Sequence, residues 1–100
     1  MNTPKINLNG KIIEMPKPTA AIWRKVMEFD STRNDVMLAN LVDDYGAIIA
    51  LAFGISKDEL IDNIDIEDIL PAYNDVITFL MNLVVSKFGN NKKNEVEAQV

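Results

Sequence analysis

The stretch that most constrains this chain is "PAYNDVITFLMNLVVSKF", Pro71 to Phe88, read as a helix. At about 100° per residue, its apolar side chains from Tyr73 to Phe88 sweep an arc of roughly 240°, against the roughly 100° that a one-sided surface helix needs. Polar residues are confined to Asn74, Lys87 and a strip of Asp75, Thr78, Asn82 and Ser86. One neighbouring face cannot cover such a helix. Either the rest of the chain surrounds it, or part of the arc is buried by another chain, because large contiguous apolar patches mark interaction sites.

The chain has 100 residues, enough for one domain. A domain of this size buries somewhat more than about 60% of its unfolded surface. The elements that must surround the last helix are legible upstream. In "KINLNGKIIEM", Asn9-Gly10 tolerates the positive φ angles of a tight hairpin turn. That turn sets Lys5 opposite Glu14 and Ile6 opposite Ile13, and gathers Ile6, Leu8, Ile13 and Met15 on one face, with Ile12 on the other. Pro16 and Pro18 stop the second strand, and Thr19 is placed to cap a helix carrying Ile22, Trp23, Val26, Met27 and Phe29, with Trp23 as a core anchor. After a polar break in which Ser31, Thr32 or Asn34 caps the next helix, an apolar stripe runs from Met37 and Leu38 to Phe53 and ends at Gly54. Within it, Gly46 and Ala50 make a flat strip for a closely packed helix. Ser56 and Glu59 have capping-box spacing for a short third helix, and Pro71 sets the start of the last one.

The predicted fold is therefore α+β, mainly α: an N-terminal β-hairpin followed by a small bundle of about four helices. Residues 1–4 are expected to be flexible and 5–88 to form one domain, with the hairpin at 5–15 and helices at 20–30, 35–53, 57–64 and 71–88. The polar segment 89–100 is expected to be disordered.

Composition narrows the function. Cysteine and histidine are absent, which removes disulfides, thiolate nucleophiles, Cys/His zinc sites and imidazole bases. A net charge of −5 without a basic cluster in the body argues against nucleic acid, whose binding rests on phosphate neutralisation. The acids from Asp58 to Asp75 lack the alternating oxygen donors and the glycine of a calcium loop, so they read as helix caps and a solvated face. The longest unbroken apolar run, Tyr45 to Ile55, is shorter than the roughly 20 residues a bilayer span needs, and the N-terminus lacks a signal-peptide pattern. No catalytic residue, cofactor or metal is expected, nor nucleic-acid or membrane binding, and the expected compartment is the cytoplasm.

The order of hairpin, Pro18-Thr19, Trp23-Arg24 and small acidic helical body ending in a hydrophobic helix resembles the tail assembly chaperones of long-tailed bacteriophages, over about residues 5 to 89. The resemblance implies a non-enzymatic protein of the infected bacterial cytoplasm. Such a protein coats the helical tape measure protein, keeps it soluble, helps recruit the major tail protein and leaves before the virion is finished. It also implies self-association and a longer frameshifted form that shares this domain.

Recognition of a helical partner needs a groove with apolar anchors at successive turns. Tyr45, Ile49, Phe53, Phe79, Met81 and Val85 are the residues expected to line it, and Ile6, Leu8, Ile12 and Ile13 of the hairpin are expected to join subunits. The alternative expectation is a self-assembling structural protein of the tail or the head-tail connector that stays in the virion, and beyond it a small regulatory module acting on a host protein.

Overall fold

A computed structural model describes residues 3–33 and 37–99, with side chains through Lys87. Strands β1 (Lys5–Leu8) and β2 (Lys11–Glu14) form an antiparallel hairpin, followed by helices α1 (Ala20–Thr32), α2 (Leu41–Phe53), α3 (Lys57–Asn63) and α4 (Ile66–Gln99). The α+β, mainly α architecture expected from the sequence is the one observed.

The hairpin follows its turn chemistry. Asn9 and Gly10 take φ of 58° and 89°, and the register pairs Lys5 with Glu14, Ile6 with Ile13, Asn7 with Ile12 and Leu8 with Lys11. Alternation then sends Ile6, Leu8 and Met15 into the core, packs Ile13 against it and leaves Ile12 outside. The pairing extends one step further, with Met15 N–H donating to the Pro4 carbonyl at 2.9 Å. Pro4, expected in a flexible N-terminus, is buried, whereas Met1 and Asn2 lie outside the described residues. On the far side of β1, Leu8 bridges to Ile64, so the hairpin is fastened to the bundle through its first strand.

The helix boundaries follow capping and burial. Thr19 Oγ1 accepts from Ile22 N–H at 3.3 Å and Ser56 Oγ from Glu59 N–H at 3.0 Å, while Gly54 closes α2 in the left-handed region at φ 71°. Ser31 and Thr32, expected to cap the second helix, instead finish α1, their hydroxyls donating to the Glu28 carbonyl; Asn34 lies outside the described residues. The second helix, expected over 35–53, begins only at Leu41 after a 3-10 turn at Leu38–Asn40. Met37 and Leu38 are exposed, so no apolar stripe holds that turn against the bundle.

The last helix begins five residues before the expected position, at Ile66, with Pro71 inside it. Proline removes one backbone bond and costs roughly 3 kcal/mol in a helix interior. Burying Ile69, fully covered at this end, returns roughly 1.5–3 kcal/mol, and the Glu67 carbonyl that Pro71 leaves unpaired belongs to an exposed residue. The helix also runs on to Gln99 where a disordered tail was expected from 89, because propagation adds one bond for each residue fixed once a helix exists. Val100 lies outside the described residues.

The core gathers the inner faces of all elements. Phe29, Tyr45 and Tyr73 stack edge to face, with centroids 4.6 to 5.8 Å apart, and tie α1, α2 and α4 together. Gly46 has the compensation its helix position requires. A Cβ there would lie 3.1 Å from Ile61 Cγ1 and 3.8 Å from Leu60 Cδ2, so the helix that comes close is α3.

Candidate functional site

Helix α4 is covered on one side only. Ile69, Tyr73, Val76 and Leu80 are buried against the bundle. Trp23 supports this packing, its Nε1–H donating to the Leu80 carbonyl at 3.2 Å. Tyr73 reaches the edge of the core, where its hydroxyl donates to Asp30 at 2.9 Å, and Asp30 is in turn 2.9 Å from Arg33. Burial, and then the Asp30 carboxylate, push the Tyr73 hydroxyl well above the ordinary phenol range.

A second apolar stripe flanks the buried one around α4 and stays partly open. Ile66, Leu70, Ile77, Met81 and Val84 fall within about 60° of one another around the helix, with Val85 beside them. Ile66, Leu70, Met81 and Val85 are 64%, 44%, 48% and 58% exposed, and Ile77 and Val84 are half-buried. From Ile66 to Val85 the stripe is about 28 Å long at 1.5 Å per residue. Each end opens into a concavity. At the N-terminal end, Leu38, Leu41 and Val42 join Ile66, Glu67 and Leu70 around about 390 Å³. At the C-terminal end, Pro18, Ala20 and Trp23 join Leu83, Val84 and Lys87 around about 490 Å³.

One charged residue lines each concavity, Glu67 the first and Lys87 the second. Near the start of α2, Lys57 lies 3.8 Å from Asp43. Among the described residues, no three acidic side chains converge closely enough to hold a metal ion.

This arrangement corrects half of the expected groove. Tyr45, Ile49 and Phe53 are 7%, 0% and 4% exposed, because the inward face of α2 is spent on α1, α3 and α4. Phe79 is half-buried and packs on the core from the far side of α4. Met81 and Val85 remain on the open face. The hairpin set divides in the same way, since Ile6 and Leu8 are buried, Ile13 packs on the core, and Ile12 alone projects, beside a gap of about 260 Å³ between the hairpin and α4.

Leu38, Ile66 and Leu70 were missed. Leu38 reads as part of a buried stripe, and "DIEDILP" reads as a connection ended by Pro71. The signal that finds Ile66 and Leu70 is spacing: 66, 70, 77, 81 and 84 are one helical face, whatever stands at 71. The same extension makes Ile66–Lys87 long and apolar enough to cross a membrane, with 22 residues and mean hydropathy 1.4 over its most apolar stretch, which counting unbroken apolar runs does not reveal. The chain matches no protein-family model, and no characterised protein or solved structure shows significant similarity to it.

Proposed function

We propose that this protein is a tail assembly chaperone of long-tailed bacteriophages, which sheathes helical segments of a tape measure protein and helps recruit the major tail protein. It works without catalysis, cofactor or nucleic acid, in the bacterial cytoplasm, and leaves before the virion is complete. The single observation that carries the helix-binding part is the open stripe on α4. An apolar face about 28 Å long, broadened by concavities at both ends, suits a helix lying alongside with anchors at successive turns. Met81 adds a flexible, polarisable side chain that repacks against unequal partners. The assignment to phage tails rests on the order of hairpin, Pro18-Thr19 and Trp23-Arg24 in the sequence.

The test is co-expression with a tape measure protein of a long-tailed bacteriophage. Met81→Asp with Val85→Asp changes only exposed positions, so helicity and melting are expected to stay as in the parent while co-purification falls at least ten-fold. Unchanged co-purification removes α4 from the site. Phe79 is a poorer probe because its loss would also disturb the core. Mass spectrometry of purified virions separates the chaperone from a structural tail or connector protein: the chaperone is absent, and stoichiometric recovery of this chain would assign it to the particle.

A further inference from the structure

Asn9 is the one asparagine of the chain that precedes glycine. The pair suits the hairpin turn, and it is also the pair most open to deamidation, because a following residue without a side chain leaves its backbone nitrogen free to reach the asparagine Cγ. Both residues are exposed, and a Cβ at Gly10 would meet nothing within 4 Å. Two contacts hold the reacting groups. Gly10 N–H donates to Asn7 Oδ1 at 2.6 Å, which opposes loss of the proton that the nitrogen must give up before it attacks. Asn9 Nδ2, the leaving group, donates to Asn63 Oδ1 at 3.1 Å, at the end of α3. Asn63 Nδ2 in turn donates to the Glu59 carbonyl at 2.8 Å, so the Asn63 oxygen is turned toward Asn9 and accepts only from a donor.

We propose that Asn9 is a deamidation site latched by Asn63, and that its conversion unfastens the hairpin from α3. When the latch opens, the Gly10 nitrogen, its proton taken by a solvent base, bonds to Asn9 Cγ. The Cγ–Nδ2 bond breaks and ammonia leaves with a proton from water. Water then opens the succinimide at either carbonyl, leaving an aspartyl or an isoaspartyl link, so the sum is amide plus water to carboxylate plus ammonium. Either product defeats the contact. A carboxylate has no donor for Asn63 Oδ1, and turning the Asn63 amide round would set its oxygen against the Glu59 carbonyl. Asp65 lines the same nook and adds a like charge. The isoaspartyl link also adds a backbone carbon to a two-residue turn, which the Leu8–Lys11 pairing cannot absorb. The change falls beside the Leu8–Ile64 bridge, where the hairpin joins the bundle. It is one-way, and it does not depend on the tape measure reading.

Peptide mapping of the full chain during incubation in mildly alkaline buffer tests it, with mass spectrometry reading the gain of one dalton and enzymatic methylation reading isoaspartate. Conversion at Asn9 is expected to be slower in the folded chain than in guanidinium chloride, on the order of ten-fold or more. Equal rates would overturn the latch. Asn63→Ala should speed conversion of the folded chain several-fold, and an unchanged rate would overturn it as well. Leu80→Ala loosens the bundle without touching the turn. Acceleration by Leu80→Ala as large as by Asn63→Ala would show that global unfolding, and not the latch, exposes Asn9. The consequence is read from Asn9→Asp, which isolates the lost donor because Asp-Gly also favours this turn. Backbone hydrogen exchange in β1 and β2 should quicken several-fold in that variant, while Ile49 and Ala52 of α2 stay as in the parent. Hairpin protection equal to the parent's would sink the unfastening.

Discussion

The two faces of α4 are built from nearly the same residue types, yet one is finished and the other is open. Ile69, Tyr73, Val76 and Leu80 are enclosed by α1, α2 and β1, while Ile66, Leu70, Met81 and Val85, interleaved with them along the same helix, look outward. Hydrophobicity does not separate the two sets. What separates them is the position of the neighbours: α1, α2 and β1 pack along one side of α4, and among the described residues no element covers Ile66, Leu70, Met81 and Val85. The buried set holds the monomer together, and the open set is available to something else.

The largest effect that sharpens this contrast is expected at Leu80. Leu80→Ala removes a fully enclosed side chain and should cost about 2–5 kcal/mol in chemical unfolding. A loss under about 1 kcal/mol would mean that the two faces are energetically alike. Tyr73→Phe keeps the aromatic stack and deletes the hydroxyl's bond to Asp30, for which about 1.5 kcal/mol is expected, since hydrogen bonds to charged groups are worth more than neutral ones.

The same hydroxyl gives the buried face a pH signature. Its raised pKa means that the folded state holds the proton more tightly than the unfolded chain. Its stabilisation is therefore complete below the ordinary tyrosine value of 10.0 and is lost progressively as pH rises above it. Unfolding curves from pH 8 to 11 should show that alkaline loss in the parent and less of it in Tyr73→Phe. The smallest effect is expected on the open face, where Val85→Asn should shift stability by no more than about 0.5 kcal/mol. A larger loss would reveal that Val85 packs within the monomer.

Local rules were legible wherever a short segment decides its own conformation. The Asn9-Gly10 turn, the strand register, the Thr19 and Ser56 caps and the Gly54 terminus each depend on a few neighbouring residues, and each is found where the spacing places it. Errors arose where a local preference met a distant contact. Pro71 argues for a helix start, but Ile69 finds a buried place two residues earlier and the helix follows it. Met37 and Leu38 fit a helical stripe, but no element covers them, and the helix begins only at Leu41.

The candidate site was less legible than the fold for the same reason. Tyr45, Ile49 and Phe53 are as apolar as Met81 and Val85, and no property of the residues themselves says that α2 spends its face inside while α4 keeps one free. The apolar arc of α4, too wide for one neighbour, was visible in the sequence and required that something else cover the remainder.

By itself, the sequence determined the element types, the hairpin register and an excess of apolar surface on the last helix. These follow from turn chemistry, capping and periodicity, which act over a few residues. Only the tertiary structure decided which part of that surface is core and which is open, and that a concavity stands at each end of the open stripe. Those facts depend on where helices distant in the chain come to rest, and short-range periodicity carries no information about that.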